Sequence, residues 1–521
     1  MVRAKLTAGL VRRRPSLRGA VAGSLLALTA LLGATSATLA QSRDITIVLQ
    51  EEPYSVEPCN ANTSIIGKVL RQNIVETLVD RDPDTGEIIP RLATSWEHPD
   101  ALTWLFHLRE GVKFHDGADF NAASVVYAIN RTLNASFDCE VRIKVFGGFD
   151  IELSEVDPYT VKMVTSVPQP ILPTMLVPVT IMSPNTPEAV MADRPIGTGP
   201  YEFVDRVPGT EINLRRFEGY WGEKPQVERA KYVWRSESSV RAAMVQTGEA
   251  DLAPSIAVDD ATTAMDVPYP NSETSRLRIQ SDQPPFDDRR VREALNIAID
   301  RDALRGSVFS PDVIPSTQLV PPGTVGYNEK LEVWPYDPDR ARQLLAEAKA
   351  DGVPVDTPFT IYGRTGVYPH STESLEAIMA YLQDVGFKPN LQMLEISQHV
   401  VYLQKPYPTE ITGFPNLIQD QHDNGNGDAV FTVFYKYGSE GANSVLHDAN
   451  LDALIAKASV SEGAEREETW EAAFKVIADD IIADVPLFYM VGYARVAPRI
   501  NFQPNIKTNT EVSIQSITFN D

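Results

Sequence analysis

The sequence lacks the short motifs that mark common catalytic and cofactor sites. It contains no HExxH zinc motif, and its seven histidines never pair at the helical spacing of zinc ligands. A GxSxG serine elbow, a phosphate-binding loop and a dinucleotide-binding glycine motif are also missing. A calcium loop counted from Asp420 fails, because its third position is His422 and its twelfth, where a bidentate acid is needed, is Phe431. We therefore expect no cofactor, no metal and no enzymatic activity. An exported hydrolase is the disfavoured alternative, since the carboxylate pair of a glycosidase is defined only in three dimensions.

Cysteine is scarce, and the two cysteines present are Cys59 and Cys139. In an oxidising compartment an even pair favours a disulfide. Such a bridge would close a loop of about 80 residues and add roughly 4 kcal/mol, mainly by restricting the unfolded chain. Two buried free thiols are the alternative.

Acidic residues are absent from the N-terminal segment, residues 1–40, although they are frequent in the rest of the chain. Residues 1–19 hold six basic residues and no acid, residues 20–34 form an unbroken run of apolar and small residues, and TSATLA ends at Ala40. This order is typical of a secretory signal peptide cut ahead of Gln41, and it predicts a periplasmic protein. A membrane anchor is disfavoured because the apolar run is short for a bilayer span. The export route, general secretion or twin-arginine, stays open.

Positive charge is in deficit over the whole chain. The 521 residues include 47 basic and 70 acidic side chains, and removal of residues 1–40 takes away six basic ones, leaving 41 against 70, or −29. A surface of this sign repels phosphate backbones, so we expect no nucleic-acid partner.

The stretch LTWLFHLREGVKFHDG, residues 102–117, has the density of reactive side chains expected of an active site. Its periodicity favours a structural role instead, because the strongly apolar residues alternate as in a strand: Trp104, Phe106 and Leu108. We predict a returning strand at 112–114 and then a helix capped by Asn121. His107 falls on the other face of the first strand and needs no ligand to explain it.

Strands and helices alternate elsewhere in the mature chain. Ile45, Ile47 and Leu49 predict a first strand, and residues 65–79 read as a helix. The order strand, helix, strand at 359–363, 373–385 and 387–394 predicts an α/β fold with a partly parallel sheet.

Six segments stand out along the mature chain, in this order: TWLFHLREGVKFHDGADFNAASVVYAINR, IGTGPYEFV, INLRRFEGYWGEKP, VREALNIAIDRDAL, YDPDRARQLLAEA and AYLQDVGFKP. In content and order they resemble the family 5 solute-binding proteins of ABC importers, the group that binds dipeptides, oligopeptides and nickel. The resemblance covers nearly the whole mature chain. It implies a two-lobed α/β periplasmic binding protein fold with a hinge, of the large type II form with an extra subdomain.

The resemblance also implies boundaries and partners. The first lobe would hold 41–280 plus 490–521, with the extra subdomain at 82–192, and the second lobe would hold 281–489. The protein, expected to be a monomer, would capture a peptide-like solute by closing its cleft and deliver it to the membrane permease for transmembrane transport. An opine, sugar-phosphate, glycan or metal-chelate ligand is the alternative.

Candidate ligand residues follow from the same resemblance. The turn-rich segment HDNGNGD, 422–428, matches the loop whose aspartate holds the α-amino group of a peptide in relatives. Asp423 is the best match and Asp428 the second, although no tryptophan precedes the acid and no proline follows. Arg364 is expected to grip a carboxylate or phosphate. The remaining candidates are His422, Tyr362 and Ser371 in the second lobe and Glu52 and Tyr54 after the first strand.

Overall fold

Most strands of the protein belong to one long mixed sheet. The structure, a computed structural model, describes residues 42–136 and 139–520, so the predicted signal peptide and its cleavage site lie outside the described residues. The strands follow the chain as β1 (Asp44–Leu49), β2 (Glu76–Thr77), β3 (Val79–Arg81), β4 (Ile88–Pro90), β5 (Ala93–Asp100), β6 (Thr103–Leu108), β7 (Ile151–Asp157), β8 (Thr160–Thr165), β9 (Thr180–Ile181), β10 (Tyr201–Val207), β11 (Glu211–Arg216), β12 (Arg229–Trp234), β13 (Leu252–Ile256), β14 (Asp266–Ile279), β15 (Ile314–Pro315), β16 (Phe359–Arg364), β17 (Pro389–Leu394), β18 (Asn416–Asp423), β19 (Asp484–Val496), β20 (Ile500–Asn501) and β21 (Thr518–Phe519).

Helices fill the connections between the strands. They are α1 (Ser64–Leu70), α2 (Ala122–Leu133), α3 (Glu140–Phe146), α4 (Leu172–Leu176), α5 (Ser238–Gln246), α6 (Arg289–Ile297), α7 (Arg301–Leu304), α8 (Pro338–Ala350), α9 (Ser371–Asp384), α10 (Ile396–Leu403), α11 (Val433–Tyr437), α12 (Ala449–Val460) and α13 (Gly463–Lys475). A π-helix, Val476–Ile481, continues α13. No helix in the described ranges is long and apolar enough to cross a membrane.

The long sheet runs in the order β10-β11-β12-β1-β13-β19-β14-β18-β16-β17, with β15 paired to β19. Parallel pairs join β1 to β12 and β13, and β16 to β17 and β18, whereas β13, β19, β14 and β18 pair antiparallel. The predicted α/β class with a partly parallel sheet is therefore confirmed. The two long strands β14 and β19 lie in the middle, where they connect the half of the sheet around β1 with the half around β16.

A separate antiparallel sheet, β5-β6-β8-β7, contains the stretch that is rich in reactive side chains. Its predicted strand is confirmed, because the alternating residues Trp104, Phe106 and Leu108 are buried. The predicted cap is confirmed as well, since Asn121 Oδ1 accepts from Ser124 N at 3.0 Å.

The returning strand predicted at 112–114 is wrong. Strand β6 pairs with β5 on one side and with β8 on the other, so both of its edges are occupied by more distant segments. Val112 and Phe114 are instead buried in the core beneath this sheet. Local alternation identifies a strand but does not identify its partner.

The helix predicted over 65–79 is only partly correct. Helix α1 ends at Leu70, Gln72 has a φ of 57°, and strands β2 and β3 follow. Every residue from 65 to 81 is buried. A segment buried on all sides has no polar face, so its hydrophobic periodicity does not distinguish helix from strand.

The buried apolar residues form separate cores. One core combines residues between 45 and 75, between 201 and 256 and between 493 and 517; a second lies between 59 and 182; and two more lie between 277 and 488. The lobe and subdomain boundaries expected from the sequence stay a prediction.

Candidate functional site

A cavity of about 150 Å³ lies where the two halves of the long sheet meet. The first half contributes Gln50 after β1 and Ser255 in β13, and the second contributes Phe309, Tyr368 and Gln421. The central strands supply the wall between them: Tyr269, Asn271 and Glu273 of β14 and residues 490–493 of β19. Because several distant segments surround this space, it is the natural place for a ligand in this fold.

Glu273 is the acidic side chain of the cavity wall. Its Oε1 accepts from Asn509 Nδ2 at 3.1 Å, and its Oε2 accepts from Asn271 Nδ2 at 3.3 Å and from the amide of Gln421. Burial, together with the negative charge of Asp423, raises the pKa of Glu273 to about 7. No neighbouring positive charge in the described ranges fully offsets the ionised carboxylate of Glu273. A cationic group that enters the cavity would therefore favour the ionised form of Glu273.

Lys68 of α1 lies within electrostatic reach of these acids. The side chain is buried, its Nζ is 3.4 Å from Ser64 Oγ, and burial lowers its pKa to about 8, against the opposing effect of Glu273 and Asp423. The ammonium therefore only partly offsets the two carboxylates. The group of Lys68, Glu273 and Asp423 keeps an excess of negative charge when all three are ionised.

Asp423, the predicted ammonium acceptor, lies at the end of β18 directly opposite Glu273 of β14 in the sheet register. Residues at opposed positions share one face of a sheet, so the two carboxylates are neighbours. Oδ1 of Asp423 accepts from Ser272 Oγ and from Gly425 N, each at 2.7 Å. This oxygen holds the turn in place, as aspartates in turns commonly do.

Arg364, the predicted anion-binding residue, is the last residue of β16. Its backbone N donates to Gln419 Oε1 at 2.8 Å, while its buried Nε has no hydrogen-bond partner among the described residues. Burial lowers the pKa of the guanidinium, and the carboxylates of Glu273 and Glu51 act in the opposite direction. Arg364 lies outside the cavity lining, but it feels the charge of Glu273 in the cavity wall and keeps donor capacity for a ligand.

The other predicted residues of the second half have structural partners. Asp428 forms a buried bidentate ion pair with Arg466, at 2.7 and 2.9 Å. His422 Nε2 lies 2.8 Å from Thr432 Oγ1, and burial holds the pKa of this imidazole well below its usual value. Tyr362 packs against Tyr402 with ring centroids 5.0 Å apart, and Ser371 is buried at the start of α9.

None of these four predicted residues lines the cavity described above: Asp428, His422, Tyr362 and Ser371. Their roles in ligand binding stay predictions.

The two candidates after β1 also lie outside the cavity lining. Glu52 Oε1 accepts from Arg206 Nη2 at 2.6 Å, and its Oε2 accepts from Gly209 N at 3.0 Å. Tyr54 is 66% exposed, and its hydroxyl is 3.5 Å from Thr63 Oγ1. Glu52 thus fastens the segment after β1 to the β10–β11 turn.

Cys59 and Cys139 lie buried in one core with both thiols free. Cys139 Sγ is 3.4 Å from Cys59 O, and the hydrogen bond between the two thiols, together with burial, raises the pKa of Cys59. The side chains are therefore adjacent, as a bridge requires, and the bridge itself stays a prediction.

The sequence reasoning missed several residues of the cavity and its surroundings, namely Lys68, Glu273, Tyr368, Gln421 and Asn509. One of them carried a usable signal, because a single charged side chain within an apolar buried element is uncommon: Lys68 in SIIGKVL. No group of three or more potential metal ligands occurs in 42–136 and 139–520.

Comparison with known proteins agrees with this architecture. Residues 87–446 match the family described as bacterial extracellular solute-binding proteins, family 5, middle region. The dipeptide-binding protein of Escherichia coli K12 is 27% identical over 452 residues, which cover 78% of this chain and 81% of that protein. The glutathione-binding protein GsiB of Salmonella typhi is 30% identical over 382 residues, or 70% of this chain and 72% of that one.

A solved structure shares the fold over nearly its whole length. The periplasmic binding protein DppA from Helicobacter pylori, determined in complex with the peptide STSA, superposes with a TM-score of 0.76 at 21% identity. The match covers 91% of this chain and 98% of that one. The fold is therefore the two-lobed fold of periplasmic binding proteins, as predicted.

Proposed function

This chain belongs to the bacterial extracellular solute-binding proteins of family 5, and from that premise we propose that it captures a peptide-like solute for an ABC transporter. The solute would enter the cavity between the two halves of the long sheet, and the loaded protein would deliver it to the membrane permease. The protein acts by binding alone and leaves its ligand chemically unchanged. It works as a monomer, and nucleic acid is not among its partners.

The charge distribution around the cavity is the observation that carries the peptide proposal. Glu273 and Asp423 are adjacent acids on one face of the sheet, and Arg364 is a cation at the end of β16 that feels the charge of Glu273. A zwitterionic peptide would place its ammonium near the two acids and a carboxylate near the guanidinium. Charge-assisted hydrogen bonds of both kinds are stronger than neutral ones.

Capture would proceed by closure of two lobes about a hinge. We place the first lobe at 41–280 plus 490–521, with the subdomain at 82–192, and the second lobe at 281–489. The separate apolar cores support this division, and the central strands β14 and β19 are where the chain would pass between the lobes. Only a ligand that binds the closed form more tightly than the open form can drive the motion.

Export precedes this role. We propose that residues 1–40 form a signal peptide, cut between Ala40 and Gln41, that directs the protein to the periplasm. The basic, apolar and small-residue regions of that segment support the assignment, and the family is extracellular by description.

A different ligand on the same scaffold is the second candidate. The loop from Asp423 to Asp428 carries neither the tryptophan nor the proline expected of peptide-binding relatives, and Asp428 is held by Arg466. An opine, sugar-phosphate, glycan or metal chelate would depend less on a carboxylate acceptor in this loop than the α-amino group of a peptide does.

Thermal-shift screening of the purified protein separates these candidates. Dipeptides and tripeptides should raise the Tm, since a ligand that binds only the folded state stabilises it by mass action. Sugar phosphates, opines and nickel–histidine complexes form the comparison set, and a rise with these alone would refute the peptide proposal. Mass spectrometry of each stabilising ligand after incubation should recover it unchanged, and its cleavage would reveal an enzyme.

A further inference from the structure

A second chamber, of about 200 Å³, lies within the second half of the molecule. It shares Val367 and Gln421 with the cavity between the halves, so the two spaces adjoin at these residues. Its wall also includes Arg364, Lys436 and Asn443. The volume is far above the roughly 15 Å³ needed for one water, so a small chemical group fits.

Three polar atoms of this wall are buried without a hydrogen-bond partner among the described residues. They are Nε of Arg364, Nδ2 of Asn443 and Oε1 of Gln421. The side chain of Asn443 is fixed, because its Oδ1 accepts from Lys436 Nζ at 2.7 Å and only 2% of the residue is exposed. A buried unpaired donor or acceptor costs about 1–3 kcal/mol, so three of them at one chamber indicate that something else satisfies them.

The charged side chains that line the chamber are positive in sum, with Arg364 and Lys436 against Asp420. Arg276 and Lys436 both bind Asp420, and Arg276 also binds Asp484. Arg278 is buried, and its hydrogen bonds go to carbonyl oxygens and to the hydroxyl of Tyr407. Beyond the lining, Arg276 and Arg278 therefore add two cations against the single carboxylate of Asp484.

From this arrangement we propose that the chamber is a subsite for a second anionic group of the ligand, the carboxylate of an acidic side chain. Nε of Arg364 and Nδ2 of Asn443 donate to this carboxylate, and the excess positive charge stabilises it. Gln421, at the boundary between the two spaces, accepts from an N–H of the ligand through its free Oε1, while its own amide N–H holds Glu273. The inference rests on the proposed function and narrows the ligand to peptides or amino-acid conjugates that carry an acidic side chain.

Matched dipeptides test the proposal. Isothermal titration calorimetry at pH 7 compares Ala-Glu and Glu-Ala with their neutral isosteres Ala-Gln and Gln-Ala, and with Ala-Ala as the reference. The better acidic peptide should bind about tenfold more tightly than its amide counterpart, as expected for a charge-assisted hydrogen bond in place of a neutral one. Equal or tighter binding of the amide peptides, or no gain over Ala-Ala from any side chain, would overturn the proposal.

Two variants locate the effect in the chamber. Asn443→Asp replaces the free donor by an anion of the same shape, and Gln404→Glu adds an anion at the wall without touching the buried ion pairs. Both should abolish the preference for acidic peptides over their amide counterparts. Asn390→Asp, on the exposed side of β17, is the matched control and should keep that preference.

One result would separate failure of this proposal from failure of the proposed function. If no dipeptide binds, the peptide function fails and the chamber is tested with glutarate alone. A Tm rise with millimolar glutarate that disappears in Asn443→Asp would keep the anion subsite, and no rise would refute it.

Discussion

Glu273 of β14 and Asp423 of β18 occupy directly opposed positions of one antiparallel strand pair. Burial disfavours the charged form of Glu273, and the like charge of Asp423 at the opposed position adds to the effect. The consequence is visible at Glu273, whose pKa rises to about 7, while Asp423 retains two short hydrogen bonds from Ser272 and Gly425. Glu273 lines the cavity and Asp423 lies beside it in the sheet, outside the lining, so a cation in the cavity would offset the repulsion between the two acids.

Replacing Glu273 by glutamine should remove a pH dependence of stability. The carboxyl binds its proton more tightly in the folded protein, with a pKa of about 7, than in the unfolded chain, where about 4.3 is usual. Wild-type stability should therefore be highest below about pH 4.3 with respect to this group and fall progressively, by about 3.7 kcal/mol in all, as the pH rises from 4.3 to above 7. Urea unfolding at pH 5 and pH 7.5 should show that Glu273→Gln loses less stability over this interval than the wild type. An identical loss in both proteins would contradict the prediction.

Features that depend on neighbours along the chain could be predicted from the sequence. The buried strand face of Trp104 and the cap at Asn121 are local, and both were predictable. The cavity is not local, since Asn509 donates to Glu273 across 236 residues of sequence. Arg364 was singled out because it directly follows the predicted strand 359–363, and it is the last residue of β16. The partners of Asp428 and Glu52 became known only from the folded arrangement.

Asp428 is expected to stabilise the fold and to leave ligand binding unaffected. Both of its oxygens are bound by Arg466, and the pair is buried. Asp428→Asn should lower the free energy of unfolding by about 3 kcal/mol, because it leaves the guanidinium without its counter-charge. The affinity for a ligand found by thermal-shift screening should stay the same, whereas Asp423→Asn should weaken it. Loss of affinity in Asp428→Asn without loss of stability would instead assign the ligand contact to Asp428.

Export to an oxidising compartment should join Cys59 to Cys139. The thiols lie together in one core, and their oxidation to a disulfide, with transfer of two electrons and two protons to the dithiol-oxidising system of that compartment, would close a loop of about 80 residues. Non-reducing peptide mapping of exported protein should find the linked pair. Reduction should then lower the Tm of the wild type and not that of a Cys59→Ala/Cys139→Ala control. Alkylation of two free thiols after unfolding without reductant would exclude the bridge.

Gly427 should contribute to ligand affinity through Arg81 and not through the ligand itself. Arg81 of β3 donates to Gly323 O at 2.8 Å, and its guanidinium occupies the space where a Cβ on Gly427 would lie. Since Arg81 belongs to the proposed first lobe and both glycines to the second, this contact forms only when the lobes are together. Gly427→Ala should therefore displace Arg81 and weaken ligand binding by about tenfold, or roughly 1.4 kcal/mol.

The same substitution also introduces backbone strain, because Gly427 has a φ of +71°, so a second glycine serves as the control. Gly413 has a φ of +81° with open space around its Cβ, and Gly413→Ala should lose about 1 kcal/mol of stability without any loss of affinity. A double-mutant cycle completes the test: in an Arg81→Ala background, Gly427→Ala should cause backbone strain alone and no loss of affinity, which gives a coupling of about 1.4 kcal/mol in the ligand affinity. If Gly427→Ala affects binding no more than Gly413→Ala does, the contact of Arg81 with Gly427 does not stabilise the closed form.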